Sequence, residues 1–339
     1  MRVLFTLAFI LSSGFIMAQQ RAQYSLFALN NYLQNPAITG IEDYTDVRLG
    51  FRNQWIGIEG APRTLYFSAH MPINKKNINT EVNFRLRNGR KVKTIVTRDN
   101  NSKTHKIKPH HGLGFLAEAD KSGAITRTGL NLTYAYHLPV SRTVKLAGGA
   151  SAGLLNYSIN TQNLNMDNAS DPALASEAIK NLQVDLGLGM WVYSKSFFGG
   201  ISAAQFTSQK RNFINDASVT AQNTLQPHYY VSGGFRVKLS PFLSLVPSFL
   251  TKLAQPSPAA TDINLKAIYN DRFFVGGTYR KDDAFTAIAG FNINSKMGFG
   301  YAYDVTTSEL NQFSQGSHEV VLNIKLMNKN KTICPDWLW

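Results

Sequence analysis

The segment Gly149-Ala150-Ser151-Ala152-Gly153 has the spacing of a nucleophile elbow, in which a sharp strand-to-helix turn presents a serine to a nearby base. Here it lies inside one long run of alternating residues, so it reads as small residues along a strand. The seven histidines are scattered, and the only adjacent pair, His110 and His111, would point to opposite faces of a strand. There is no H-E-x-x-H, no phosphate-cradling glycine loop and no carboxylate pair in usable context. The single cysteine, Cys334, makes neither an intrachain disulfide nor a cysteine-based zinc site alone, and reads as a tail residue. These residues point to no catalytic, cofactor or metal site, and a non-enzymatic protein is expected.

The elements that carry these residues are strands. Phe285, Ala287, Ala289, Phe291 and Ile293 share one face, opposite Ala284, Thr286, Ile288, Gly290 and Asn292. In the next strand Phe299, Tyr301 and Tyr303 point one way, while Lys296, Gly300 and Asp304 point the other. Alternation of this kind predicts fourteen strands, near residues 46–54, 64–72, 109–118, 125–138, 142–158, 182–194, 196–206, 227–239, 241–253, 260–270, 271–281, 283–294, 296–305 and 316–327. In a soluble sandwich the apolar face would meet a core; in a membrane barrel it meets lipid and the polar face lines the lumen.

The links discriminate better than the alternation. From the fourth strand on, tight turns alternate with links that are mostly longer (159–181, 207–226, 254–259 and 306–315), with a short exception at Asp282. Short turns on one rim and longer loops on the other are the habit of outer-membrane barrels. No window beyond the N-terminus has 18 uninterrupted apolar residues, so a membrane crossing would fall to strands. The expected fold is therefore all-β, a transmembrane antiparallel β-barrel of about fourteen strands. Pro247 cannot donate to a ladder, and predicts a bulge in its strand.

Ahead of the barrel, Arg2 precedes an apolar stretch from Val3 to Met17, and Ala18 offers a small residue for cleavage. Residues 1–18 read as a signal peptide, with 19–45 a periplasmic or plug segment, 46–327 the barrel and 328–339 a tail. Net charge is +14, concentrated in residues 73–108, where eleven Lys or Arg face only Glu81 and Asp99. Asn88-Gly89 is a two-residue hairpin signal, so residues 77–108 read as a basic hairpin inserted on the periplasmic rim. For an exported chain this charge suits anionic lipid or an acidic partner, and no nucleic acid is expected.

Several stretches stand out in order along the chain: Asn35-Pro36-Ala37 with Gly40; Arg52-Asn53-Gln54-Trp55, Gly60-Ala61-Pro62 and Ser68-Ala69-His70; Tyr134-Ala135-Tyr136-His137-Leu138-Pro139; Leu239-Ser240-Pro241, Pro247-Ser248-Phe249 and Asn270-Asp271-Arg272-Phe273. Gly300-Tyr301-Ala302-Tyr303-Asp304 then leads through Thr306-Thr307-Ser308 to Gly316-Ser317-His318-Glu319. These stretches resemble the PorP/SprF family, outer-membrane barrel components of the type IX secretion and gliding machinery of Bacteroidetes. The basic insert departs from the family pattern.

The resemblance implies partners and no reaction: periplasmic components of the secretion system, and the C-terminal domains of secreted cargo such as adhesins. Because first and last strands pair when a barrel closes, two loops should be neighbours on the outer rim and offer a docking platform. One carries Arg52, Asn53, Gln54, Trp55, Gly60, Ala61 and Pro62, the other Thr307, Ser308, Ser317, His318 and Glu319. A small-solute porin of the same architecture and a secreted β-sandwich adhesin are the alternatives.

Overall fold

A computed structural model describes residues 21–75, 80–87, 90–97, 108–160, 178–206, 210–211, 223–224, 226–254 and 257–335. The expected signal peptide, the Asn88-Gly89 tip and the last four residues lie outside these. Nineteen strands follow one another: β1 (Thr45–Asn53), β2 (Arg63–Ile73), β3 (Thr80–Arg87), β4 (Arg90–Thr97), β5 (His110–Ser122), β6 (Ile125–Pro139), β7 (Lys145–Asn160), β8 (Ala178–Tyr193), β9 (Phe197–Ala204), β10 (Lys210–Arg211), β11 (Asn223–Thr224), β12 (His228–Phe235), β13 (Val237–Lys238), β14 (Leu243–Ala254), β15 (Ser257–Tyr269), β16 (Phe273–Arg280), β17 (Ala284–Asn292), β18 (Met297–Thr306) and β19 (Ser317–Leu326).

Fourteen staves close on themselves. β1 pairs with both β2 and β19, and the order then runs β2-β5-β6-β7-β8-β9-β12-β14-β15-β16-β17-β18-β19, with β13 continuing β12. Neighbouring staves are antiparallel. The remaining four strands form two separate pairs, β3–β4 and β10–β11. β3 and β4 make the hairpin expected within the basic insert, closing on the pair Arg87 and Arg90.

Burial separates the two readings that alternation left open. In β6 the exposed set is Leu130, Leu132, Tyr134, Tyr136 and Leu138, and the buried set is Asn131, Thr133, Ala135 and His137. Apolar residues face out and polar ones face in, the inverse of a soluble sandwich and the pattern of a membrane barrel. Among the described residues no helix is long and apolar enough to cross a membrane.

The strands place both barrel ends at one rim, where Thr45 pairs with Leu326. That rim also carries the tight links 140–144, 194–196, 239–242, 270–272 and 293–296, and is here the turn rim. In one of these, Asn270 and Asp271 both have φ 53°, the left-handed pair of a type I′ hairpin. The opposite, loop rim carries 54–62 and 307–316. The link expected at 254–259 is shorter than the spacing suggested, because β15 already starts at Ser257.

Two expectations are corrected. Pro247 causes no bulge in β14, where it pairs in continuous register with Leu265; the ladder shifts only between Lys252 and Ala254. The neighbouring stave is the one interrupted, at Arg236 between β12 and β13, close to the position opposite Pro247. Lys296 does not face the lumen: β18 begins at Met297, and Lys296 is an exposed turn residue.

The lumen holds the chain's own N-terminal segment. Residues 21–44 run from the loop rim to the turn rim through two 3-10 turns, Asn31–Leu33 and Pro36–Ile38. The apolar core is the interface between this plug and the inner wall. Ile38 and Ile41 pack with Ala147, Trp191 and Ile268 in one cluster, and Leu26 and Leu33 with Tyr66 and Val321 in another.

Candidate functional site: the plug seat and the loops above it

The plug's sharpest turn sits in a socket of glycines. Asn35 caps the turn Pro36–Ile38 by accepting from the Ala37 N–H at 2.9 Å, and proline suits the first position of such a turn. The Asn35 Nδ2 donates outward to the carbonyls of Met190 on β8 and Ile201 on β9, at 3.0 and 3.1 Å. The wall must be bare for this approach. A Cβ on Gly149 would stand 2.6 Å from Pro36 C and from Ala37 N and Cα, while one on Gly112 would strike the Thr39 carbonyl. Gly189 and Gly200 face Asn35 in the same way.

The small-residue run 149–153 is therefore a seat. Ser151 lies mid-strand in β7, in register with Thr133 and Gly187, and no sharp turn exposes it. Among the described residues no three His, Cys, Asp or Glu side chains are grouped to hold a metal.

Three histidines hold the plug toward the turn rim. His70 Nδ1 accepts from the Gly40 N–H at 3.2 Å, His110 Nε2 lies 3.1 Å from the Gly40 carbonyl, and His137 Nε2 lies 2.8 Å from that of Thr39. The His110 and His137 rings stack 4.3 Å apart, and Tyr193 meets His137 Nδ1 at 2.9 Å. Gly40 has φ 75°, a left-handed turn that favours glycine, and its Cα approaches the Gly112 backbone.

Toward the loop rim the grip is ionic. Arg52 on β1 donates to Asp304 on β18 at 2.7 Å and to Glu319 on β19 at 3.2 Å, and also reaches the Ser25 hydroxyl. Glu319 accepts from the N–H groups of Ser25 and Leu26 at 2.6 and 3.3 Å, and Ser25 Oγ donates to Asp304 at 2.6 Å. Charges this deep need partners on every side, and here the plug backbone supplies part of that set. Arg127 and Arg21 share Glu118 in a second buried group, at 2.5 and 3.9 Å.

The expected platform divides into two layers. Arg52, Gln54, Ser317 and Glu319 are buried, so their side chains belong to the lumen and not to the rim surface: Arg52, Ser317 and Glu319 fall on inward positions of β1 and β19, and Gln54 opens the link from β1 to β2. Asn53, Trp55, Ala61, Pro62, Ser308 and His318 are half-buried, and Gly60 and Thr307 are exposed. The first and last long loops do meet. Ile56 N–H donates to the Gly316 carbonyl at 2.9 Å, Gln315 N–H to that of Ile56 at 2.7 Å, and Trp55 N–H to Ser317 Oγ at 3.1 Å.

Thr307 turns away, its N–H bonding the Asp283 carbonyl at 2.8 Å, while the Gly60 carbonyl accepts from Gly123 at 2.8 Å. His318 packs under Tyr301 and Tyr303, with Tyr301 Oη 2.5 Å from Nδ1. Trp55 has φ 45°, strained for a side-chain-bearing residue, and it holds the hairpin tip against the last loop.

Sequence reasoning missed Ser25 and the joint role of His70, His110 and His137. The signal was the position of His70 and His137 within the family stretches, but nothing in a strand pattern says that their common partner is a segment about thirty to a hundred residues upstream. In the tail, Cys334 packs beside Ile268 and Phe274 near Lys266 and Lys325, and burial pushes its thiol up to about 11.

Among solved structures the chain is similar to a monoaromatic hydrocarbon channel, CymD, at TM-score 0.47 and 10% identity over 88% of this chain and 91% of that one. It is also similar to a FadL homologue of Pseudomonas aeruginosa, at 0.45 and 10% over 88% and 92%, and to the translocator domain of the autotransporter NalP of Neisseria meningitidis, at 0.41 and 11% over 84% and 88%. At such scores the likenesses carry no argument. No curated protein matches the sequence. The family model described as type IX secretion system membrane protein PorP/SprF matches residues 16–324, and the chain belongs to that family.

Proposed function

We propose that this barrel is a non-enzymatic accessory of type IX secretion in the outer membrane, supporting export or surface attachment of cargo proteins such as adhesins, with a link to gliding motility. Family membership makes it a membrane component of that system. Export would use residues 1–18 as a cleaved signal peptide. The observation that carries the reading is the filled lumen: residues 21–44 occupy it from rim to rim, fastened by Arg52, Asp304 and Glu319 at one end and three histidines at the other. A barrel closed by its own chain is a poor diffusion pore, and its usable surfaces are the two rims.

In this reading the joined loops around Trp55 and Gln315 receive the C-terminal domains of cargo, and the basic hairpin inserted at the turn rim meets periplasmic components of the system. Deleting the protein is expected to remove one or a few specific proteins from the cell surface while small-solute uptake stays normal. Normal surface proteins with impaired uptake of a solute would sink the proposal in favour of a channel.

A further inference from the structure

The tight links of the turn rim are basic among the described residues. Each of the five tight links at the turn rim carries an exposed cation, in the turn or on the strand end beside it: Arg142, Lys195, Lys238, Arg272 and Lys296. The only acid within those links is Asp271, which is held by Arg236 at 2.7 Å. At the loop rim, links 54–62, 123–124, 281–283 and 307–316 carry Glu59, Asp282, Glu309 and Asp283, the last held by Arg280 at 3.1 Å, against Lys281, while Arg63 and Lys121 stand on the strand ends beside them and Lys210 and Arg211 lie in the link between β9 and β12.

The distribution around the circumference identifies the partner. The five cations sit between β6 and β7, β8 and β9, β13 and β14, β15 and β16, and β17 and β18, so they ring the arc from β6 to β18 and are not gathered in one sector. A protein partner of ordinary size covers a patch. Each cation also has an exposed apolar neighbour where the strand ends: Val140 near Arg142, Phe197 near Lys195, Phe242 near Lys238, Phe273 beside Arg272 and Ile293 near Lys296. An apolar side chain at the acyl boundary with a cation just beyond it matches the headgroup layer of a bilayer.

We propose that the turn rim is a collar for anionic phospholipids, its cations binding headgroup phosphates of the leaflet that meets this rim. The collar fixes the depth of the barrel and the side from which it faces the membrane. It requires only that the strands cross a bilayer, so it stands or falls separately from the role in secretion.

The test uses the purified full-length protein in nanodiscs of phosphatidylcholine with graded phosphatidylglycerol. Lipid retained on the protein is read by native mass spectrometry, and stability by the unfolding temperature. Phosphatidylglycerol is expected to be retained several-fold above its share of the bilayer and to raise the unfolding temperature. Both effects should vanish in a variant carrying Arg142→Gln, Lys195→Gln, Lys238→Gln, Arg272→Gln and Lys296→Gln, while Lys121→Gln with Lys281→Gln at the loop rim should leave them intact.

If the fivefold variant does not fold, a threefold one confined to Arg142, Lys195 and Lys296 should lose part of the enrichment. Equal retention of both lipids by the unaltered protein, or enrichment unchanged in the variants, overturns the collar. Variants that keep the lipid but lose a co-purifying acidic protein would show a protein-docking rim, and also overturn it.

Discussion

Arg52 and Glu319 lie 267 positions apart in the chain and meet at 3.2 Å across the seam where β1 closes on β19, with Ser25 of the plug bonded to both. The residue pair that shuts the barrel therefore also anchors its contents. Asp304 completes the group from β18, so two stretches of sequence that look unrelated to the N-terminus serve to hold it.

Removing Glu319 should thus do more than delete one ion pair. Glu319→Ala leaves Arg52 short of one carboxylate partner and strips the acceptor from the N–H groups of Ser25 and Leu26. A broken buried pair costs about 3–5 kcal/mol. Glu319→Gln keeps an oxygen for the two amides and is expected to cost less. Urea unfolding of the barrel in detergent ranks the two; equal stability of Glu319→Ala and the unaltered protein would contradict the assignment.

The glycine seat predicts a different phenotype, a loosened plug in an intact barrel. Gly149→Val puts its Cβ 2.6 Å from Ala37 and Pro36, so the plug must move, whereas Gly148 has nothing within 4 Å and Gly148→Ala should be silent. Single-channel recording in a planar bilayer checks this: conductance is expected to rise for Gly149→Val only.

These two sites show what a strand pattern can and cannot disclose. Period-two alternation places Phe299 outward and Asp304 inward, and all fourteen staves lie within a few residues of the expected spans, because lipid on one side and polar lumen on the other impose one rule throughout. The adjacency of the loops at Trp55 and Gln315 also follows from closure. What fills the lumen does not. Residues 21–44 have no strand period, and their partners (His70, His137 and Glu319) are distributed over the chain by register, which no local window contains.

Facing can be tested by depth. Leu132, near the middle of β6, is 67% exposed on the outer face, and Leu132→Arg should cost about 2–4 kcal/mol. Leu138, on the same face but next to the end of that strand, should accept arginine at about 0–1 kcal/mol. Tyr301→Arg belongs with the costly class if its ring faces lipid. Gly300→Arg is no neutral control, since even a Cβ there meets Leu29 at 2.8 Å and Val321 at 2.9 Å. Equal refolding free energies for the two leucine variants would reject the outward assignment.

Cys334 gives a pH-dependent readout of the tail. Its thiol is raised from 9.0 to about 11 by burial, which leaves about a hundredfold less thiolate at pH 8 than an unperturbed thiol has. Alkylation by iodoacetamide should be slow in the folded protein and fast after heating in detergent. The linked stability is complete below pH 9 and falls as pH rises toward 11, because the unfolded chain gives up its proton first. Rapid alkylation of the folded barrel at pH 8 would show that the tail does not pack where Ile268 and Phe274 hold it.

The basic insert offers the last test, and it separates the hairpin from the rim that bears it. β2 and β5 are paired up to Ile73 and His111, so the staves on either side are already joined when the insert begins. Excising residues 77–108 leaves Lys76 to meet Pro109 through a short turn, and the barrel is expected to fold with unchanged heat-modifiable mobility on gels. The excision removes nine of the eleven local Lys or Arg residues that would attract an acidic partner surface and leaves Lys75, which is tied to Asp43 at 2.6 Å, and Lys76. Long-range attraction of this kind fades as salt shortens the screening length to about 8 Å at physiological ionic strength. Capture of periplasmic secretion components by the unaltered protein should therefore weaken between low and high salt, and the excised protein should capture weakly at both. Capture that is equally strong with and without the insert at every salt concentration would leave the hairpin as a solvated appendage and place the periplasmic contact elsewhere.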